Sequence, residues 1–296
     1  MYKLIITCIA LQLTISAISQ QPLIQKTSIL YGAITKDSLL QAPYSAWFLP
    51  NYNKYKIQEN TIEDFKKISF KNLEISIFFG TWCGDSKREV PRFLQLLNSI
   101  KFPENQIHLF ALGDDSLHKQ SPQHQEAGLG IFKVPAFIIY NNGTELNRIN
   151  EFPVYTLEQD LYTILSRQPY KPNYASFATI HQWLQQNVLL NENISTKGLA
   201  GQLKNLVINE NELNSVGYLL LQQHKAKEAL KIFQINYFLY KDSANIVSSL
   251  GEGYLKNGDA TNAIIYLEHA LTLNKDPQAI KGILQLLYQA KGLVNK

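Results

Sequence analysis

The 296-residue sequence predicts an α/β domain with a mixed sheet, followed by an all-α domain of repeated helical pairs. Three observations carry this reading. Apolar runs of strand length, LEISIFF at residues 73–79 and AFIIY at 136–140, alternate with amphipathic helical stretches. No comparable run follows residue 172. In the last third Val216-Gly217, Ala229 and Phe233 return as Leu250-Gly251, Ala263 and Leu267, each displaced by 34 residues, the signature of stacked helix-turn-helix units. A hydrophobic content of 45% and a charged content of 18% are those of folded protein, and a net charge of +4 without a long Lys/Arg run excludes a nucleic-acid footprint.

Residues 1–19 resemble an export signal: Lys3, an apolar stretch from Leu4 to Ala17, and small residues at Ala17 and Ser19 before a cleavage point at Gln20. This predicts an exported protein, periplasmic or secreted, with no stable membrane span once the signal is gone. Cys8 leaves with that signal, so Cys83 is expected to be the only cysteine of the mature chain. Residues 20–60 form an N-terminal extension, aromatic and polar with Pro43 and Pro50, read as short strands and turns.

Residues 61–167 form the α/β domain. Thr61 is expected to cap a helix to about residue 68, and LEISIFF, apolar at nearly every position, should be a central strand. A turn at 80–84 leads into a helix at 85–100 that carries Pro91, and QIHLFAL at 106–112 is the next strand. Asn142-Gly143 marks a hairpin between AFIIY and ELNRI. Thr156 with Gln159 is a capping box for the closing helix. QPYKP within 168–174 reads as a linker, 175–209 as a helical pair, and 210–296 as repeats with a final capping helix. In the repeats the glycines let paired helices approach while Phe233 and Leu267 fill the seam.

The stretch Trp82-Cys83-Gly84-Asp85-Ser86 carries the chemistry. With the apolar strand before it, a helix starting at the cysteine, Pro91 eight residues on and Val134-Pro135 downstream, it resembles the thioredoxin superfamily over about residues 60–167. The whole chain looks like exported thioredoxin-family proteins with tetratricopeptide tails of the Bacteroidetes type. The resemblance implies a thioredoxin-like domain followed by a tetratricopeptide-like one, a nucleophilic Cys83, and a cis-proline loop at Val134-Pro135 facing it. It implies that Ser86 stands at the resolving-cysteine position, and that Trp82, Gly84, Asp85, Val134 and Pro135 meet the substrate. The interval from Cys83 to Pro135 is 52 residues, which the resemblance explains by an insertion between Gly113 and Gly130.

Two residues depart from that family. Ser86 cannot attack a mixed disulfide, and Ile77 stands where a buried acid assists resolution. A helix N-terminus favours thiolate over thiol, and Lys87, Arg88 and Arg92 add positive charge in the same turns, opposed by Asp85. The Ser86 hydroxyl is expected to hydrogen-bond the sulfur. The expected partners are protein or peptide clients, at the thiol and on the helical repeats, with a small thiol or an external reductase supplying the second thiol. A redox-inactive interaction scaffold is the alternative. No cofactor is implied, and Asp114, Asp115, His118 and His124 with Cys83 match no metal-ligand spacing.

Overall fold

The computed structural model describes residues 29–57, 59–114 and 118–294, so the signal-like segment and Cys8 lie outside the described residues. The chain forms an N-terminal mixed five-stranded sheet with helices, followed by a run of helices. Strand order is β1-β3-β2-β4-β5. Here β1 is Gly32–Ile34, β2 Leu73–Phe79, β3 Ile107–Ala111, β4 Ala136–Asn141 and β5 Thr144–Asn150. β2 and β3 run parallel, and the other pairings are antiparallel.

β2 is central, as its double-sided apolarity demands. Ile75, Ile77 and Phe79 face one side, where Val90, Phe93 and Leu97 of helix α4 (Gly84–Ser99) and Leu157 and Leu161 of α5 (Leu157–Leu165) cover them. Phe78 faces the other side with Ala136 and Ile138, under Leu112, Ile131 and Val134. One face of the sheet is therefore covered by helices, and the other partly by the long segment between β3 and β4. Asn142 and Gly143 have φ of 50° and 74°, the paired left-handed backbone of a two-residue hairpin. Thr156 Oγ1 accepts the Gln159 N–H at 3.1 Å and starts α5.

The extension differs from its expectation. It contains the short edge strand β1 and two helices, α1 (Lys36–Leu40) and α2 (Ser45–Lys54), with Pro50 inside α2. Tertiary burial overrode the prolines: Phe48 of α2 is fully buried against the same core as α4. α2 also repairs α4. Pro91 has no N–H to offer the carbonyl four residues earlier, and that carbonyl, Lys87 O, instead accepts from Asn51 Nδ2 at 3.2 Å. The same amide nitrogen serves Trp47 O at 2.8 Å. The next helix, α3, spans Glu59–Phe65, so Thr61 lies inside it rather than capping it.

After α5 the chain is not a free tether. Tyr170 donates to Asp160 Oδ2 at 2.8 Å, and Asn147 Nδ2 donates to Tyr170 O at 3.1 Å. The ring of Tyr174 stacks on Phe177 at 4.9 Å, and Phe132 from the β3–β4 segment meets Phe177 at 5.0 Å. Phe132 thus belongs to the core of the helical part.

The helical part comprises α6 (Ser176–Gln185), α7 (Thr196–Leu203), α8 (Glu210–Gln222), α9 (Ala226–Leu239), α10 (Ala244–Lys256), α11 (Ala260–Leu273) and α12 (Pro277–Val294). The 34-residue period corresponds to two hairpins, α8 with α9 and α10 with α11. Its glycines and apolar partners meet across the seams. A Cβ on Gly217 would lie 2.3 Å from Phe233, and one on Gly251 would lie 2.7 Å from Leu267. Gly217→Ala is expected to cost about 1–3 kcal/mol by forcing Phe233 aside. Gly282→Ala, where a Cβ meets nothing within 4 Å, should gain up to about 1 kcal/mol from helix propensity. Urea midpoints followed by helical circular dichroism decide this, and equal midpoints for the two variants would contradict the seam.

Candidate functional site

β2 ends at Phe79, and the turn that follows places Cys83 as the N-cap of α4, with extended φ and ψ of −81° and 128°. The turn is tightly specified. A Cβ on Gly80 would sit 2.5 Å from the Trp82 ring, so only glycine fits beneath the indole. Trp82 Nε1 donates to Leu112 O at 2.9 Å, which ties the turn to the end of β3. Leu30 N–H donates to Thr81 Oγ1 at 3.2 Å and holds the turn from the N-terminal side.

Cys83 is a free, partly exposed thiol. Its S–H donates to Val134 O at 3.4 Å. The Val134–Pro135 peptide bond is cis, and Val134 is buried while Cys83 remains accessible. Gly84 has open space over its Cα, since a Cβ there would meet nothing within 4 Å. Trp82, Cys83 and Val134 are thus brought together at the head of α4.

Ser86 does not bond the sulfur as expected. It is fully buried, and its Oγ accepts the Gly80 N–H at 3.2 Å. The hydroxyl lies under the turn, where it satisfies a backbone donor that β2 and α4 both leave unpaired. Ile77 is fully buried between Leu109 and Phe137, so its position holds an apolar side chain with no acid function.

The charges also differ from the pattern expected along α4. Arg88 bonds Asp85 at 2.7 Å and Glu89 at 2.5 Å, and Arg92 pairs with Glu89 at 3.4 Å while lying over the Tyr55 ring. Those guanidinium groups are held by carboxylates of their own helix. The Glu89 and Asp85 hydrogen bonds keep Arg88 above its ordinary value, with burial opposing them. Lys87 is partly exposed on the same helix.

Two further cations of this region come from loops. Lys133 precedes the cis bond, pairs with Glu151 at 3.4 Å and lies 5.5 Å from the Tyr174 ring centre. Tyr174 OH also donates to Glu151, and burial followed by that carboxylate raises the phenol above its ordinary value. Lys119 lies within electrostatic reach of Cys83. Burial and then Lys133 push it down to about 8, with Cys83, Asp114 and Glu151 acting in the other direction. Sequence reading missed Lys133, although its place directly before Val134-Pro135 was a usable signal. It also missed Lys119, Glu151 and Tyr174, which come near only through the tertiary path of the chain.

Of the four residues weighed as metal ligands, His118 pairs with Asp114 at 3.3 Å, His124 pairs with Glu126 at 3.4 Å, and Asp115 lies outside the described residues. Among the described residues no helix is long and apolar enough to cross a membrane. No protein-family model matches the chain, and no curated protein matches it.

Chemically the site offers one accessible sulfur at a helix N-terminus, opposite a carbonyl next to a cis-proline. That arrangement suits attack on a disulfide, and among the described residues no second thiol accompanies it. Ser86→Ala is expected to destabilise the fold by about 1–3 kcal/mol, because the Gly80 N–H loses its buried acceptor. Iodoacetamide labelling of Cys83 should stay within about twofold of the parent, since the hydroxyl is engaged by the Gly80 N–H. A large fall in labelling with unchanged stability would reverse these roles.

Proposed function

We propose that the chain is an exported, thioredoxin-like thiol–disulfide protein that uses the single nucleophile Cys83, with the tetratricopeptide-like helices recruiting its protein partner. One observation carries this reading: a partly exposed sulfur at the first turn of α4 bonds Val134 O beside a cis Val134–Pro135 bond. Trp82, Gly84 and Asp85 border the sulfur at the start of α4, while Pro135 fixes the opposing loop.

The reaction is exchange. The Cys83 thiolate attacks one sulfur of a client disulfide, a bond forms from Cys83 to that sulfur, and the other client sulfur leaves with the electron pair. A thiol of the client, a small thiol or an external reductase then attacks the mixed disulfide and frees Cys83. Net dithiol oxidation is disfavoured because Ser86 cannot resolve the adduct. Isomerisation and client capture fit one thiol.

A second reading, a redox-inactive scaffold binding polypeptides, is favoured by the full burial of Ser86 and Ile77. In that reading the turn is kept for packing. The two readings separate in cells: protein recovered from the envelope without reductant should carry thiol or protein adducts on Cys83 by intact mass. Cys83→Ser should carry none on non-reducing gels. Equal adducts in both chains would defeat the thiol reading.

A further inference from the structure

The loop opposite the thiol is held from the helical part of the chain. Cys83 Sγ donates to Val134 O at 3.4 Å, and the two residues before Val134 both reach toward the start of the helical run. The Phe132 ring packs on Phe177 of α6, with ring centres 5.0 Å apart. Lys133 Nζ lies 5.5 Å from the Tyr174 ring centre and pairs with Glu151 Oε1 at 3.4 Å. The Tyr174 hydroxyl donates to the other oxygen of the same carboxylate. Glu151 also holds the loop by its backbone, because its N–H donates to Pro135 O at 2.7 Å.

Side-chain amides fix Tyr174 against the end of β5. Asn147 Nδ2 donates to Tyr170 O at 3.1 Å, Asn150 Nδ2 to Asn173 O at 3.0 Å, and Asn173 Nδ2 back to Phe152 O at 2.9 Å. These bonds run beside β5, the last strand of the sheet, and cover an edge that would otherwise offer its polar groups to solvent. The Tyr174 ring lies flat on Phe177, with 4.9 Å between centres and 8° between planes. The phenol therefore reaches Glu151 from a fixed platform.

Both ends of the tyrosine–carboxylate bond sit on left-handed backbone, with φ of 64° at Glu151 and 60° at Tyr174. Residues with a Cβ are uncommon there, whereas glycine adopts that region freely. A large polar side chain kept at each position points to a role for the side chains themselves. Glu151 is buried, so its carboxylate depends on the partners it has. Burial and then that carboxylate hold the Tyr174 phenol above its ordinary value, so the hydroxyl keeps the proton it donates. Neither residue takes part in the exchange described above, yet both act on the loop that borders the sulfur.

We propose that Tyr174 and Glu151 are positioning residues of the thiol site, and that through them the helical part fixes the 132–135 loop as the wall against which a polypeptide disulfide aligns with Cys83. The inference rests on the thiol reading of Cys83. The physical argument is one of access. Iodoacetamide is small and reaches a partly exposed sulfur from solvent. A disulfide within a polypeptide brings its flanking chain with it, and that chain has to pass beside the sulfur, where Val134 O stands 3.4 Å away. The attacking and leaving sulfurs must then be aligned, and a misplacement of about 1 Å is enough to slow such a step strongly. The bonds made and broken are those of the exchange above; the loop alters only how well the two sulfurs meet.

The test uses full-length protein and two reagents, iodoacetamide and a short peptide closed by one disulfide, with the adduct on Cys83 located by mass. Tyr174→Phe removes one hydroxyl and keeps the ring on Phe177. It should lower the rate of mixed-disulfide formation with the peptide by about tenfold and leave iodoacetamide labelling within about twofold of the parent. Glu151→Gln keeps an acceptor for the Tyr174 hydroxyl but loses the charge that holds Lys133, and should give the same selective loss by less. Gly251→Ala strains the α10–α11 seam against Leu267, in a core that does not include the loop, and should leave the peptide-to-iodoacetamide ratio unchanged. A folded Tyr174→Phe chain with the parent's ratio overturns the positioning role and leaves the nucleophile intact. If that chain does not fold, the parent's ratio in Glu151→Gln does the same. A fall in Gly251→Ala as large as in Tyr174→Phe also overturns it, since general loosening would then suffice. A parent that forms no mixed disulfide with the peptide at Cys83 removes the thiol reading and the positioning role together.

Discussion

The burial of β2 on both faces sets the position of the candidate site. Ile75, Ile77 and Phe79 need the helices on one side, and Phe78 needs the β3–β4 segment on the other. A strand that must be covered twice sits at the centre of its sheet. Its end then delivers Gly80 to Cys83 at the boundary between the two covers, where α4 begins. The sulfur is consequently reachable from solvent while the residues around it are packed. The same burial explains Ile77: an apolar side chain there strengthens the core at the point where a carboxyl would need a partner.

Three supports converge on the first turns of α4, each answering a specific unmet bond. Ser86 accepts the Gly80 N–H, Asn51 donates to the carbonyl freed by Pro91, and Leu112 O receives the Trp82 indole. Buried polar groups without partners cost far more than a formed hydrogen bond returns, so these contacts fix geometry as well as stability. The N-terminal extension is a working part of the domain because it supplies Asn51. The β3–β4 segment also does two things, since it brings His118 and Lys119 toward the thiol and sends Phe132 into the helical core.

That shared core ties the two parts of the chain together close to Cys83. Tyr174 bonds Glu151, Glu151 pairs with Lys133, and Lys133 adjoins the cis-proline loop. Tyr174 then stacks on Phe177 at the start of the helical run. The stretch read as a linker from its Pro and polar residues is held by side-chain bonds on both sides. Composition describes what a linker is made of, but its mobility depends on whether neighbours meet its polar groups.

By itself the sequence determined the strands, the hairpin, the α5 cap and the helical period, because each rests on local periodicity or a local turn. LEISIFF at 73–79 became β2 over those same residues, Asn142-Gly143 became the hairpin, and Gly217 with Phe233 met across a helical seam. It also placed Cys83 at a helix start, and the family resemblance implied Val134-Pro135 opposite it. Tertiary structure alone decided the helices of the extension, where buried Phe48 outweighed the helix-breaking signal of Pro50. It decided that Ser86 turns from the sulfur to Gly80, and that Arg88 and Arg92 are taken up by Glu89. It brought Lys119, which is 36 residues from Cys83 along the chain, into the field of the thiol. The physical reason is the same in each case: hydrogen-bond partners and electrostatic neighbours are set by distance through space, which a one-dimensional pattern does not contain.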